Sequence, residues 1–217
     1  MEVFLSGRRT EPLEKVANQA REAGGQAHVL ALDIADASTV NATAKEIGHV
    51  DIPFANAGLN VPGRAMDTLS IENWDKVVNV NLNGSLYLAH AVLPGMREQS
   101  DGLIIFTASW ASRYATRLTG VAYNSTKRAL LALGESLNAE EGGHRIRTTV
   151  LMPGEVATDI LKTRPRPPSK ADMARMLQVE DIAKTVQFLA ELPARVCVNE
   201  VLISPTWNRF YQDFDEL

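Results

Sequence analysis

An unbroken apolar run, Leu103-Ile104-Ile105-Phe106, stands between Asp101-Gly102 and Thr107, and it constrains the fold more than any other stretch. A strand with one wet face alternates apolar and polar residues. A continuous run requires cover on both faces, which a parallel sheet between two helical layers supplies. Around it strand and helix signals alternate. Strands are expected at Glu2 to Ser6, Ala27 to Leu32, Val50 to Phe54, Ile146 to Met152 and Val196 to Ile203. Between them lie a helix from Thr10 to Ala23 stopped by Gly24-Gly25, and one capped by Asp36 or Ser38 that runs to Ile47. A long helix follows Ser70, another runs from Tyr123 to Glu141, and a third from Val179 to Leu192 carries Val179, Ile182, Val186 and Leu189 on one stripe. This rhythm predicts an α/β chain, three-layer and doubly wound, with a mostly parallel sheet, right-handed crossovers and helices on both faces.

Composition decides among function classes. With 217 residues, 45% of them hydrophobic, the chain is expected to form one domain over 1–217. A formal charge of −4 and the lack of a long basic run argue against nucleic acid or an anionic membrane as partner. No run approaches the length of a membrane-spanning helix. The one cysteine, Cys197, excludes an internal disulfide and suits a reducing cytoplasm; it is expected as a small buried residue in the last strand. His28, His49, His90 and His144 are scattered, so no metal site is expected. The proline-rich stretch 155–178 lacks strong periodicity and reads as a mobile loop or lid. Beyond Trp207 the tail carries aromatic and acidic residues.

Ser109 falls just past the buried strand, where open α/β sheets bind their ligands. From Gly120 the chain turns helical, and Tyr123 and Lys127, four apart, share one face one turn from each other. A phenol with a pKa of about 10 is a poor base at neutral pH, but a nearby ammonium favours the phenolate. Such a Tyr can move a proton, and a Ser hydroxyl at the strand end can hold a carbonyl or alcohol oxygen in line with it. The pattern is a hydride-transfer site that lacks only its nicotinamide. Ser109 is the first candidate for the hydroxyl and Ser112 the second. Trp110, Arg113, Tyr114 and the 155–178 stretch are candidate pocket walls for a small-molecule substrate.

Over nearly its whole length the chain resembles the short-chain dehydrogenase/reductase family, which has a Rossmann-like fold, and it carries the family's motifs in order. Asn56-Ala57-Gly58 matches the turn beside the adenosine half of the cofactor, and Asn81 in Val80-Asn81-Leu82-Asn83-Gly84 matches the helix Asn of the proton relay. Ser109, Tyr123 and Lys127 match the remaining catalytic residues, with a Ser-to-Tyr loop one residue longer than usual. The resemblance implies that Asp33 contacts adenine, that Pro153, Gly154 and Thr158 lie beside the nicotinamide carboxamide, and that Tyr123 and Lys127 also touch cofactor. Arg8 and Arg9 sit where the family distinguishes its cofactors. A carboxylate there would bind a ribose 2′-hydroxyl, and a guanidinium pairs with a 2′-phosphate, so NADP is implied ahead of NAD. A homodimer or homotetramer, paired through the helix after Ser70 and the Tyr123 helix, is also implied.

One feature departs from the family pattern. Family members begin with another strand and a Thr-Gly-x-x-x-Gly-x-Gly turn whose amides bind the cofactor pyrophosphate. None of the 14 glycines falls in that spacing, and Met1 lands where the family approaches its second strand. The absent strand is central in the family, between the strand of Val3-Phe4-Leu5 and that of Asp51-Ile52-Pro53-Phe54. The sheet is therefore expected to close up, rearrange or stay open there. Two expectations follow: an NADP-linked oxidoreductase that interconverts an alcohol and a carbonyl, or a degenerate member with weak cofactor binding that acts as a binding or scaffold protein.

Overall fold

A computed structural model describes residues 1–163 and 167–211; the central part of the proline-rich stretch and the tail beyond Tyr211 lie outside the described residues. The strands are β1 (Glu2–Gly7), β2 (Gln26–Ala31), β3 (Phe54–Ala55), β4 (Gly102–Thr107), β5 (Ile146–Pro153) and β6 (Glu200–Ile203). The helices are α1 (Thr10–Glu22), α2 (Ala37–Ile47), α3 (Ile71–Val78), α4 (Gly84–Gln99), α5 (Val121–Glu141), α6 (Lys170–Arg175) and α7 (Val179–Glu191).

All strand pairs are parallel, as the run at 103–106 requires. Ile104 and Phe106 of β4 point to one face, where they join Ala89, Val92 and Met96 of α4 and Leu130 and Leu137 of α5. Leu103 and Ile105 point to the other face and meet Leu189, Ile182 and Val186 of α7. At roughly 25 cal/mol per Å² of apolar surface, those two layers supply the main driving force of folding.

The strands form two sheets rather than one. β3-β4-β5-β6 make a four-stranded sheet and β1-β2 a two-stranded one, and β1 does not pair with β3. Of the three expected outcomes, this is the one in which the sheet stays open there. The smaller sheet is tied in through α2, which packs against α4 and adds Ala44 to the main core. Its own cover is thin, with Phe4 on β1 39% exposed, and across the gap Ile52 and Phe54 at the β3 edge of the larger sheet are 40% and 37% exposed.

Three local expectations change. The helix after Ser70 is interrupted by a π turn over Asn79–Asn83, between α3 and α4. The stretch 155–178 is tied at both ends, since Val156 bridges Leu177 and α6 is closed by a reciprocal cap between Ser169 and Asp172. Cys197 is exposed and lies before β6, because residues 193–199 run as coil whose carbonyls at Pro193 and Val196 accept from Arg147. No described helix is long and apolar enough to cross a membrane.

Candidate active site

The site begins where β4 ends. Ser109 lies two residues past Thr107, in extended backbone, and its Oγ accepts from the Ala111 amide at 3.2 Å. Ser112 answers it: its Oγ accepts from the Ser109 amide at 3.2 Å and donates to the Lys127 carbonyl at 2.9 Å. Ser112 is fully buried, with its hydroxyl used to hold the loop onto α5, whereas Ser109 is half-buried. The Ser109 hydroxyl proton has no acceptor among the described residues.

Gly120 sets the start of α5. Its φ is +78°, and a Cβ there would lie 2.4 Å from Arg64 Cβ and 2.6 Å from the Arg64 carbonyl oxygen, so only glycine fits. The neighbouring loops are joined by Asn60 Nδ2 donating to the Thr119 carbonyl at 2.9 Å and Arg64 Nη1 donating to the Leu118 carbonyl at 3.2 Å. With its first turn held this way, α5 presents Tyr123 half-buried and Lys127 buried one turn later.

The Lys127 ammonium donates to the Thr107 carbonyl at 2.6 Å and stands 5.8 Å from the centroid of the Tyr123 ring. Burial pushes its pKa down to about 8, so at pH 7 it still carries its charge for most of the time. The Asn56-Ala57-Gly58 turn lies against this group. A Cβ on Gly58 would sit 3.3 Å from Lys127 Nζ, and Asn56 Oδ1 accepts from Thr107 Oγ1 at 3.0 Å. Asn56, Ala57 and Gly58 are all exposed.

Asn81 is fully buried in the middle of the π turn. Its Oδ1 accepts from the Leu59 amide at 2.8 Å, and its Nδ2 donates to the Leu59 carbonyl at 3.0 Å and to Thr126 Oγ1 at 3.4 Å. The side chain thus pins the loop after Gly58 to α5. Interruptions of this kind inside helices are frequent at functional sites. The sequence placed Asn81 on a helix but held no signal for the wider turn.

At the end of β5 the Gly154 amide donates to the Ile203 carbonyl at 2.7 Å, next to Pro153, and Thr158 Oγ1 donates to the Val156 carbonyl at 3.4 Å. Sequence reasoning missed Glu155. Its carboxylate is 2% exposed and accepts from Arg209 Nε and Nη2 at 2.9 Å each. Trp110, expected to line the pocket, is 4% exposed and covered by Tyr114, Phe210 and Tyr211, with centroids at 4.7, 6.3 and 5.5 Å. Arg113 is held by Glu200. Partners 54 and 87 residues away leave no local trace, so neither the Glu155–Arg209 nor the Arg113–Glu200 contact was readable.

A second group lies on the smaller sheet. Arg8 and Arg9 follow β1 and, with Gly7, Pro12 and Leu13, line a cleft of about 400 Å³. Among the described residues neither guanidinium has a hydrogen-bond or ion-pair partner, and the first turn of α1 lacks a side-chain cap. Asp33, exposed, turns back to accept from the Ala35 amide at 3.0 Å. A phosphorylated dinucleotide could be held by these residues at its adenosine end and by Ser109, Tyr123, Lys127 and Gly154 at its nicotinamide end. Between these two groups the edges of β1 and β3 are not paired with each other. Among the described residues no cluster of three metal-ligating side chains occurs.

Residues 1–168 match the family model described as short chain dehydrogenase. An uncharacterized oxidoreductase of Staphylococcus epidermidis is 30% identical over 207 residues, covering 94% of this chain and 86% of that protein. The alcohol dehydrogenase of Thermococcus sibiricus, solved with 5-hydroxy-NADP, superposes with a TM-score of 0.84 at 29% identity, over 96% of this chain and 87% of that one. The closed form of a serine dehydrogenase with NADP⁺ superposes with a TM-score of 0.83 at 26% identity, over all of this chain and 88% of that one.

Proposed function

The chain belongs to the short-chain dehydrogenase family, and on that premise we propose that it is an NADP(H)-linked oxidoreductase interconverting an alcohol and a carbonyl. The observation that carries this reading is the half-buried Tyr123 phenol one turn from the buried Lys127 ammonium, just beyond the strand end that presents Ser109. When bound, the nicotinamide supplies the hydride that adds to the carbonyl carbon. Ser109 donates a hydrogen bond to the carbonyl oxygen, keeping its proton, and aligns it. Tyr123 delivers the proton that this oxygen needs to become an alcohol, and the fixed charge of Lys127 stabilises the phenolate left behind. Lys127 is held for this task by the Thr107 carbonyl, and Asn81 keeps Leu59 and α5 in register around it. Asn56, Ala57, Gly58, Pro153, Gly154 and Thr158 are assigned to contact cofactor, with Arg8 and Arg9 on the 2′-phosphate and Asp33 near adenine.

The test is isotopic. NADPH deuterated at the transferable position should place deuterium on the carbinol carbon of the product; an alcohol product without the label would sink the reading. The preference for NADP is tested by charge deletion. Arg8→Ala with Arg9→Ala should weaken NADPH binding and leave NADH nearly unchanged, whereas equal losses would make the arginines structural.

A second reading rests on the unpaired edges of β1 and β3, the place where the family's glycine-rich turn would hold the pyrophosphate. Losing two charge-assisted contacts of about 1.5–3 kcal/mol each weakens binding by roughly two to four orders of magnitude. On that reading the 217-residue chain is a weak dinucleotide binder that serves as a binding or scaffold protein. Calorimetric titration with NADPH separates the two: low-micromolar or tighter binding removes the second.

A further inference from the structure

The short turn Arg209–Tyr211 touches both loops that build the site. On one side Arg209 forks onto the Glu155 carboxylate, immediately after Gly154, through two bonds of 2.9 Å with little exposure on either partner. On the other side Phe210 and Tyr211 lie on Trp110, immediately after Ser109. Asn208 braces the turn from within, its Oδ1 accepting from the Phe210 amide at 3.0 Å while the residue is 3% exposed. Glu155 in turn fixes Leu177, whose amide donates to the Glu155 carbonyl at 3.1 Å. The two anchors are chemically unlike, a charged fork and an aromatic stack, and they are adjacent in sequence. A side chain that binds the β5 loop is thus one residue from one that covers the β4 loop.

We infer that residues 208–211 form a clasp coupling the loop after β4 to the loop after β5, in which Arg209, Glu155 and Phe210 are positioning residues that keep Ser109 in register with Pro153-Gly154. They act through their neighbours and touch neither substrate nor cofactor. The catalytic consequence rests on the oxidoreductase reading; the coupling does not. A planar guanidinium bidentate on a buried carboxylate has one geometry, which suits it to transmit position where a lysine would only attract.

Amide hydrogen exchange tests the coupling without any activity. Glu155→Gln removes the charge on the β5 side and alters no residue within 109–114. The amides of Ser112, Arg113 and Tyr114, which bond back to Ser109 and Trp110, should then exchange at least about tenfold faster, together with Gly154 and Ala157. The reciprocal variant, Phe210→Ala, should speed exchange at Gly154 and Ala157, and it decides the matter if Glu155→Gln does not fold. Arg209→Lys should restore part of the protection lost in Arg209→Met. Exchange changes confined to the mutated side would overturn the proposal. With deuterated NADPH and a carbonyl acceptor, the same variants should lower kcat and leave the KM for NADPH near wild type. Faster exchange with unchanged kcat would remove the positioning role. A wild-type chain that transfers no hydride would refute the oxidoreductase reading and leave the exchange result to decide the coupling.

Discussion

At the scale of single residues, Lys127 carries the most physical information. Its pKa falls from 10.5 to about 8 because it is buried, so the folded protein gives up this proton at a lower pH than the unfolded chain does. Between pH 8 and 10.5 the unfolded state therefore holds more protons, and stability must rise with pH across that window. Below pH 8 the buried ammonium costs about 3 kcal/mol, the equivalent of the shift. Denaturant unfolding of wild type against Lys127→Met should show the wild type gaining by about that amount from pH 7 to pH 10, and a relative loss would show that the group is not desolvated. Tyr123 and Lys127 were legible because a spacing of four has one meaning on a helix. Asn81 was legible only by position, since its partner Leu59 lies 22 residues away. Glu155 and Arg209 were not legible, because nothing near either residue marks it as paired.

At the scale of elements, the strands divide by cover. β4 is buried along nearly its whole length, while β1 alternates between exposed and half-buried and β2 buries only Ala27. The continuous apolar run was readable in sequence because double cover demands it. Exchange protection should follow that difference. Amides of β4 and β5 should exchange only through global unfolding, and those of β1 and β2 through a local opening at a smaller free energy. Uniform protection across all six strands would mean that the small sheet is as firmly held as the large one. The π turn at 79–83 had no such readable cause, because its residues are ordinary for a helix, and the bond that Asn81 makes from within it goes to Leu59, far off in sequence.

At the scale of the whole molecule, the alternation of strand and helix made the architecture readable, and the division into two sheets was left as one of three outcomes because hydrogen bonding between β1 and β3 depends on what stands between them. Leu86 on α4 is 43% exposed, and Leu82, Leu88, Ala91 and Leu133 of α4, α5 and the turn before them pack against the main core while staying only partly buried. Such a face is covered when two copies pair through α4 and α5. Light scattering should therefore give a multiple of the 23.7 kDa chain mass at micromolar concentration, and the mass of one chain would argue against the pairing. The central claim is that this molecule moves a proton through Tyr123 while hydride passes from NADPH to a carbonyl. The direct measurement is carbonyl-dependent oxidation of saturating NADPH by wild type and by Tyr123→Phe, which keeps the ring and removes the hydroxyl. The account predicts a loss of roughly 10²–10⁴-fold in kcat with the fold unchanged; a variant as fast as wild type would contradict it.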